Sequence, residues 1–267
     1  MVSRPRWPVA LVTGASSGIG AVFARRLAAE GSDLVIVARR VERLDELAQE
    51  LRAAHDIDVE VLPADLSDHE QLARVEQRLR DPQRWISLLI NNAGYGSGGP
   101  FWKSPLEREA GQVLVNVVAL HRLTHAAVGP MVERGRGAII NVSSVAGFQP
   151  IAFSATYSAG KSFVTAFSEA LHEELRGTGV RIQALCPGFV HTEFQEAAGR
   201  DEPPIPDFAW LDMDVVIEAS LGALRRNQAL CIPGLGYKTL VHSTRLAPRG
   251  TVRRVAGALG RLRPPSK

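Results

Sequence analysis

Residues 9–20 read Val-Ala-Leu-Val-Thr-Gly-Ala-Ser-Ser-Gly-Ile-Gly, a short apolar run that ends in a glycine-rich turn. The apolar run predicts a buried strand over Val9–Thr13, and apolar residues at helical spacing after the turn predict a helix. Glycines let the backbone turn tightly and approach a pyrophosphate at the helix N-terminus. The spacing of Gly14, Gly18 and Gly20 differs from G-x-G-x-x-G, but its position between a strand and a helix indicates a dinucleotide site.

Strand and helix patterns alternate along the rest of the chain. Further strands are predicted at residues 33–38, 59–62, 86–90, 138–142, 180–185 and 230–232, and further helices at 41–55, 68–79, 106–132, 153–176 and 212–226. Most of the strands are continuous apolar runs, which is typical of a parallel sheet with helices on both faces. Because 267 residues fit one α/β domain and no internal linker is visible, we predict a single domain over residues 1–267.

The composition is that of an ordinary globular protein, with 45% hydrophobic and 22% charged residues. The two cysteines, Cys186 and Cys231, lie in apolar runs without metal-ligand spacing. They indicate buried thiols in a reducing compartment, and we predict no metal site. No signal-peptide pattern is visible, and no apolar run approaches the ~18 residues of a membrane span. We therefore expect a cytoplasmic protein.

An irregular segment interrupts the alternation after the sixth predicted strand. It spans residues 199–207 and is surrounded by aromatic residues: Phe189, Phe194, Phe208 and Trp210. Ligands in doubly wound sheets bind beyond the carboxyl ends of the strands, and this segment leaves from one such end. We therefore favour an apolar substrate lid over about residues 189–211, with a structural connector as the alternative.

The charge of the chain is distributed unevenly. Residues 219–267 contain ten Lys/Arg and no Asp/Glu, whereas residues 1–218 carry 21 basic and 28 acidic side chains. The basic extension at about residues 235–267 mixes apolar residues with arginines, so one interpretation is an amphipathic segment peripheral to an anionic membrane. We favour the alternatives, a helix packed over the pocket or an oligomer interface, or a solvated tail. Aromatic residues do not alternate with the basic residues of this extension, so we expect no nucleic-acid partner.

The end of the second predicted strand bears on the choice of nucleotide. It reads Ala38-Arg39-Arg40, with no acid. An acid at this position binds the ribose 2′-hydroxyl of NAD, whereas an arginine accommodates a 2′-phosphate. Arg39 is the better candidate, and its guanidinium matches phosphate geometry. Arg40 is a second candidate, with a solvated neighbour as its alternative. NADP(H) is thus favoured over NAD(H).

Residues 154–161 place Tyr157 and Lys161 four positions apart at the start of a helix pattern. Residues at this spacing lie on one helix face, and a nearby cation favours the phenolate form of a tyrosine. A phenol assisted in this way approaches useful general acid/base strength. An isolated pair would more simply be two solvated neighbours, so the functional interpretation depends on motifs elsewhere in the chain.

Together these motifs resemble the short-chain dehydrogenase/reductase family over about residues 9–192. The resemblance is carried by residues 13–20, Asn91-Asn92-Ala93-Gly94, Asn116, Ser143-Ser144, Tyr157 with Lys161, and Pro187-Gly188. It implies a Rossmann-like doubly wound parallel sheet of seven strands in the order 3-2-1-4-5-6-7, with helices on both faces. It also implies an oxidoreductase that interconverts a ketone or aldehyde with an alcohol, commonly as a homodimer or homotetramer.

The resemblance assigns catalytic roles to four residues. Ser144, thirteen positions before Tyr157, would hold the substrate oxygen. Tyr157 would exchange a proton with that oxygen while the nicotinamide transfers hydride. Lys161 would bind the nicotinamide ribose and favour the phenolate, and Asn116 would hold a water that links Lys161 to solvent. Ser143 is set aside, because alternation along a strand directs it to the opposite face.

The resemblance also implies a set of cofactor contacts along the chain. They are Gly14, Ser16, Ser17, Gly18, Ile19, Gly20, Arg39, Arg40, Asp65, Leu66, Asn92, Ala93, Gly94, Tyr157, Lys161, Pro187, Gly188, Val190 and Thr192. Asp65 and Leu66 would meet the adenine, with a helix N-cap as the alternative for Asp65. Residues 187–192 would close over the nicotinamide and the phosphates, whereas His191 is interpreted as a surface or packing residue.

Two other functions stay open at this point. The first is an NADP-binding regulatory or scaffold protein without turnover, against which the complete catalytic set argues. The second is a 3-ketoacyl thioester reductase. The chain continues for about thirty residues after Gly236, whereas the ketoacyl reductases of the family stop soon after their last strand, so this substrate is less expected.

Overall fold

A computed structural model describes residues 5–193 and 206–261 of the chain. Its central sheet has seven strands in the order β3-β2-β1-β4-β5-β6-β9, all of them paired in parallel. These strands are β1 Val9–Thr13, β2 Asp33–Ala38, β3 Val59–Pro63, β4 Leu88–Asn91, β5 Gly137–Val142, β6 Val180–Leu185 and β9 Leu230–Cys231. With β9 as the seventh member of the sheet, the predicted strand order and fold class are confirmed.

Helices cover both faces of this sheet. They are α1 Gly18–Ala29, α2 Val41–Ala54, α3 His69–Arg80, α4 Leu106–Val113, α5 Leu120–Glu133, α6 Ala155–Glu174, α7 Met213–Arg225, α8 Leu235–Leu246 and α9 Arg249–Arg261. Successive strand residues pack on opposite sides: Val12 joins the apolar core under α1, α2 and α7, and Leu11 joins the core under α3 and α5. Both faces are therefore buried, which explains the continuous apolar runs of the strands.

The helix predicted over residues 106–132 is interrupted. A π-helical turn, Leu114–Ala119, separates α4 from α5. Such turns are rare and occur frequently at functional sites. A helical pattern in the sequence does not distinguish one wide turn from regular ones, so the prediction missed it. Asn116 lies inside the turn.

A second, small sheet forms beside the carboxyl end of β6. Its strands are β7, Phe189–Val190, and β8, Trp210–Leu211, and they pair in parallel. The sequence analysis does not predict this sheet, because strands of two residues carry no period. Most of the expected lid, including Phe194, Pro203 and Pro204, lies outside the described residues.

The described part of the basic extension, residues 235–261, contains the helices α8 and α9. Val241 of α8 packs with Ala184, Cys186 and Ile232, and Ala256 of α9 is buried. This arrangement corresponds to the packed-helix interpretation of the extension. Within residues 5–193 and 206–261, no helix combines the length and apolar character that crossing a bilayer requires.

Candidate active site

The glycine-rich turn is tied to the end of β4. Thr13 Oγ1 accepts hydrogen bonds from the backbone N–H groups of Asn92 and Ala93, at 2.9 and 3.0 Å. Asn92 Nδ2 donates in return to the carbonyl oxygens of Thr13 and Gly14, at 2.9 and 3.2 Å. Gly14 has a φ of +66°, and an added Cβ would lie 2.9 Å from Ala93 Cα. The two predicted cofactor segments therefore form one surface that leaves no room for a side chain at Gly14.

The N-terminus of α1 has the features of a pyrophosphate site. Ser17 is its N-cap residue but makes no side-chain capping bond to the helix in the described part of the chain. Uncapped N–H groups and the positive end of the helix dipole attract anions. Thr192, from the segment after β6, lies against Gly18: an added Cβ there would lie 3.2 Å from Thr192 Cγ2. These residues fit the dinucleotide that the sequence implies.

The two candidate arginines lie in different surroundings. The Arg39 side chain is 71% exposed, and its Nη1 is 3.8 Å from Asp65 Oδ2. Arg40 instead lies across the glycine-rich turn. Its Nε and Nη2 donate to Ser16 Oγ at 3.2 and 3.1 Å, and Nη2 also donates to Ser17 Oγ at 2.7 Å. The interpretation of Arg40 as a solvated neighbour is wrong, because three of its hydrogen bonds reach the turn.

Asp65 lies at the adenine end of the predicted site. Its Oδ1 accepts from the backbone N–H and the hydroxyl of Ser67, at 2.9 and 2.6 Å. Burial opposes ionisation of Asp65, but the bonds from Ser67 and the charge of Arg39 outweigh it and lower the Asp65 pKa. The N-cap of α3 is Asp68, whose side chain accepts from Gln71 N, so the N-cap alternative for Asp65 is wrong.

Lys161 and Tyr157 lie together in the first turns of α6. The Lys161 side chain is buried, and its Nζ donates to the carbonyl oxygen of Val142 at 2.7 Å. The same Nζ is 5.7 Å from the centroid of the Tyr157 ring. Burial lowers the Lys161 pKa to about 8. The predicted pair thus consists of a half-buried phenol beside a fully enclosed amine at the end of β5.

The adjacent serines after β5 have different partners. Ser144 Oγ accepts from Ala146 N at 3.1 Å, at the start of a short 3₁₀ turn. Ser143 is buried, and its hydroxyl donates to the carbonyl oxygen of Lys161 at 2.8 Å. Ser143 therefore holds the backbone of α6 and is directed away from Ser144, as strand alternation predicts.

Asn116 fixes the chain that follows β4. Its Nδ2 donates to the carbonyl oxygen of Tyr95 at 2.8 Å, and its Oδ1 accepts from Tyr95 N at 3.0 Å. An added Cβ at Gly94 would lie 2.8 Å from Asn116 Oδ1 and 3.7 Å from Lys161 Nζ. Asn116 therefore lies beside Lys161, as predicted, but its amide engages backbone. The expectation that it holds a water did not anticipate this bond to Tyr95.

Tyr237 of α8 contacts the segment after β6, and the sequence analysis missed it. Its hydroxyl donates to the carbonyl oxygen of Ala209 at 2.6 Å and accepts from Phe189 N at 3.1 Å. Its ring occupies the space beside Gly188, where an added Cβ would lie 2.2 Å from ring carbons. Helix α8 therefore fixes the segment that is predicted to close over the nicotinamide. No local motif marks this contact.

Gly188→Ala is expected to displace the Tyr237 ring, which its two hydrogen bonds hold in place. We expect a lower melting temperature, by several degrees, and a raised KM for the cofactor. Gly236→Ala is the matched control, because no atom lies within 4 Å of its added Cβ. Alanine favours the helix there, so the control should melt at or above the wild-type temperature. Thermal melts and cofactor titrations of both variants test this. Equal melting temperatures would contradict the steric argument.

Aromatic residues cluster on the two strands of the small sheet and on the residue that follows β7. The Phe189 and Trp210 rings meet edge to face with centroids 5.8 Å apart, and His191 stacks on Trp210 at 3.9 Å. A cavity of about 360 Å³ has Phe101, Phe153 and Gly257 of α9 among its lining residues, which do not include Phe189, His191 or Trp210. Its walls are largely apolar. His191 is a packing residue here, as predicted.

Neither thiol has the properties of a nucleophile. Cys186 and Cys231 are both buried and unpaired. Burial raises the pKa of Cys186 to about 12 and that of Cys231 to about 11, so both thiols stay protonated at neutral pH. Among the described residues, no three His, Cys, Asp or Glu side chains cluster as metal ligands would.

A sequence profile of the short chain dehydrogenase family matches residues 8–203. The chain belongs to this family and is an NAD(P)-dependent oxidoreductase that acts on small carbonyl compounds or alcohols.

Three relatives illustrate the similarity. The chain is 40% identical to a short-chain dehydrogenase from Sphingobium yanoikuyae in complex with NADPH, with a TM-score of 0.82 over 89% of this chain and 94% of the other. It is 35% identical to the bulky-bulky ketone specific alcohol dehydrogenase from Comamonas testosteroni, with a TM-score of 0.78 over 90% and 92%. It is 37% identical to the granaticin polyketide synthase putative ketoacyl reductase 1 from Streptomyces violaceoruber, over 71% and 70% of the chains.

Proposed function

We propose that the protein is an NADP(H)-dependent reductase of apolar, bulky ketones or aldehydes. The observation that carries the proposal is the enclosed Lys161 amine beside Tyr157, at the sheet edge that also holds Ser144 and the glycine-rich turn. One domain over residues 1–267 would contain the site, with a lid over about 189–211 and the extension at 235–267. The reductive direction is proposed because cytosolic NADP pools are usually reduced.

The proposed mechanism divides the work among four side chains. A nicotinamide held by the glycine-rich turn and residues 187–192 would supply a hydride to the carbonyl carbon. The Ser144 hydroxyl donates a hydrogen bond to the carbonyl oxygen, and Tyr157 donates its phenolic proton to that oxygen. The Lys161 ammonium stabilises the phenolate that remains. Asn116 holds the chain after β4 in place beside Lys161.

The preference for NADP(H) is proposed from the arginines at the start of α2. Arg39 is exposed at the adenine end of the site, and Arg40 lies across the serines of the turn. Two guanidinium groups without an intervening acid suit a 2′-phosphate. The NADPH complex of the Sphingobium yanoikuyae relative supports the same choice.

Arg39→Gln and Arg40→Gln are each expected to weaken NADPH binding about tenfold or more, because a hydrogen bond to a charged group contributes ~1.5–3 kcal/mol. NADH binding should change little. Arg25→Gln is the matched control, since Arg25 pairs with Glu50 in an exposed ion pair away from the turn. Titrations of NADPH and NADH against wild type and the three variants measure these changes in affinity. Equal losses for NADH and NADPH would contradict recognition of the 2′-phosphate.

The bulky, apolar substrate is proposed from the aromatic surroundings and from the Comamonas testosteroni relative. A 3-ketoacyl thioester is the second candidate, which the ketoacyl reductase relative favours. A panel of bulky ketones, short ketones and 3-ketoacyl thioesters, followed by NADPH oxidation at the nicotinamide absorbance, separates the two. Binding of NADPH without turnover of any carbonyl would instead favour a regulatory protein.

A homodimer or homotetramer in the cytoplasm is part of the same proposal. Leu106, Val113 and Leu114 of α4 and the adjoining turn are exposed apolar residues, 73%, 41% and 41% accessible. A second copy of the chain would remove them from water. Light scattering after size-exclusion chromatography measures the mass. A monomer at micromolar concentration would contradict this part of the proposal.

A further inference from the structure

Glu193 lies between two arginines at the rim of the glycine-rich turn. Its Oε2 accepts from Arg40 Nη1 at 2.8 Å, and its Oε1 accepts from Arg43 Nη1. Glu193 directly follows Thr192, which lies against Gly18 at the start of α1. An acid 153 positions further along the chain is thus brought to Arg40 at the start of α2.

The Arg40 guanidinium joins this acid to the turn. Its Nε and Nη2 reach the hydroxyl groups of Ser16 and Ser17, and its remaining nitrogen, Nη1, reaches Glu193. A cofactor 2′-phosphate needs the same kind of charged fork. The carboxylate therefore occupies donor capacity that a phosphate at this rim would use.

The cluster is accessible and ionised. The Glu193 side chain is 40% exposed, and those of Arg40 and Arg43 are 43% and 47% exposed. Hydrogen bonds from the two arginines lower the Glu193 pKa to about 2, so it is a carboxylate at neutral pH. Exposed ion pairs contribute little stability, and a phosphate dianion is a stronger partner for arginine. Exchange of one anion for the other is therefore feasible.

We propose that Glu193 is an internal competitor for the cofactor 2′-phosphate and thereby sets the degree of selectivity between NADPH and NADH. This inference rests on the proposed use of NADP(H) by the same site. Binding of NADPH displaces the carboxylate from Arg40, whereas NADH lacks the phosphate and leaves the ion pairs in place. Removal of the carboxylate charge therefore favours NADPH alone.

The test measures dissociation constants of NADPH and NADH by isothermal titration calorimetry for wild type and Glu193→Gln. We expect Glu193→Gln to bind NADPH about three- to tenfold more tightly, the range for breaking two exposed ion pairs, with NADH unchanged. Glu50→Gln is the matched control, because Glu50 is paired with Arg25 and similarly exposed. In an Arg40→Gln background, Glu193→Gln should have a much smaller effect.

Two results would overturn the inference. Equal weakening of NADPH and NADH would show that Glu193 holds its segment closed over either dinucleotide, and unchanged constants would show no competition. The proposed cofactor preference fails separately, when wild type binds NADH as tightly as NADPH. Competition by Glu193 is judged from the change in the ratio of the NADH and NADPH dissociation constants between wild type and Glu193→Gln. Failure of the inference can therefore be distinguished from failure of the proposed cofactor preference. Thermal melts confirm that each exposed substitution leaves the fold intact.

Discussion

Tyr157→Phe is expected to lower kcat/KM for carbonyl reduction about 10³-fold, because a positioned general acid contributes ~10²–10⁴ to the rate. The substitution removes only the hydroxyl and leaves the ring beside Lys161 Nζ. We therefore expect NADPH affinity and melting temperature to stay close to wild type. Steady-state rates with the best ketone of the panel, together with cofactor titrations, separate loss of chemistry from loss of binding.

A second substitution sharpens the assignment of Tyr157. Ser144→Ala removes the other hydroxyl proposed at the carbonyl oxygen and should lower kcat by a comparable factor. Because groups that act as a unit are strongly non-additive, the double variant should be little worse than Tyr157→Phe alone. Ser243→Ala, on the exposed surface of α8, is the control and should leave the rate unchanged. A Tyr157→Phe variant that keeps more than about a tenth of the activity would exclude the phenol as the acid.

Lys161→Met is expected to have the second large effect, a loss of about 10²-fold or more in kcat/KM, because the phenolate then loses its neighbouring cation. Methionine fills a similar volume without a charge. Wild-type kcat/KM for reduction should be level at low pH and fall as the pH rises through about 8, where Lys161 loses its proton. Rates measured from pH 6 to pH 10 in overlapping buffers test this. A rate that rises above pH 8 would contradict the required charge on Lys161.

The same amine makes stability depend on pH. In the folded chain its pKa is lowered by burial from 10.5 to about 8, so the unfolded chain binds more protons between these values. The free energy of unfolding of wild type relative to Lys161→Met should therefore rise with pH across this window and be level below it. Denaturant melts of both proteins at several pH values measure the difference. A difference that falls with rising pH would show that the folded chain stabilises the charge instead.

The sequence predicts the parts of this fold that repeat or that sit within one motif. β1, β2 and β6 have the predicted bounds, because a buried parallel strand is a continuous apolar run. The glycine-rich turn and the pairing of Tyr157 with Lys161 are local, so spacing alone places them together. The predicted strand order came from the family resemblance, because an apolar run does not indicate which strands lie beside it in the sheet.

The missed features depend on contacts between distant residues. Tyr237 meets Phe189 across 48 positions of the chain, and Arg40 meets Glu193 across 153. Neither contact leaves a periodic pattern, because each needs the sheet to be assembled first. From the segment Ala38-Arg39-Arg40 alone, Arg39 was the better candidate and Arg40 had a solvated neighbour as its alternative. The structure gives Arg40 the hydrogen bonds to the turn.

The wide turn Leu114–Ala119 has a consequence for how this chain tolerates deletions. Removal of one residue there would let α4 and α5 merge into a regular helix, which gains uniform hydrogen bonding. Because the wide turn absorbs one extra residue, α4 and α5 would keep nearly their present directions, whereas the side chains inside the turn would change theirs. The Asn116 amide would then leave the backbone of Tyr95. A shortening that makes the helix regular would thus remove the two hydrogen bonds that hold the chain after β4.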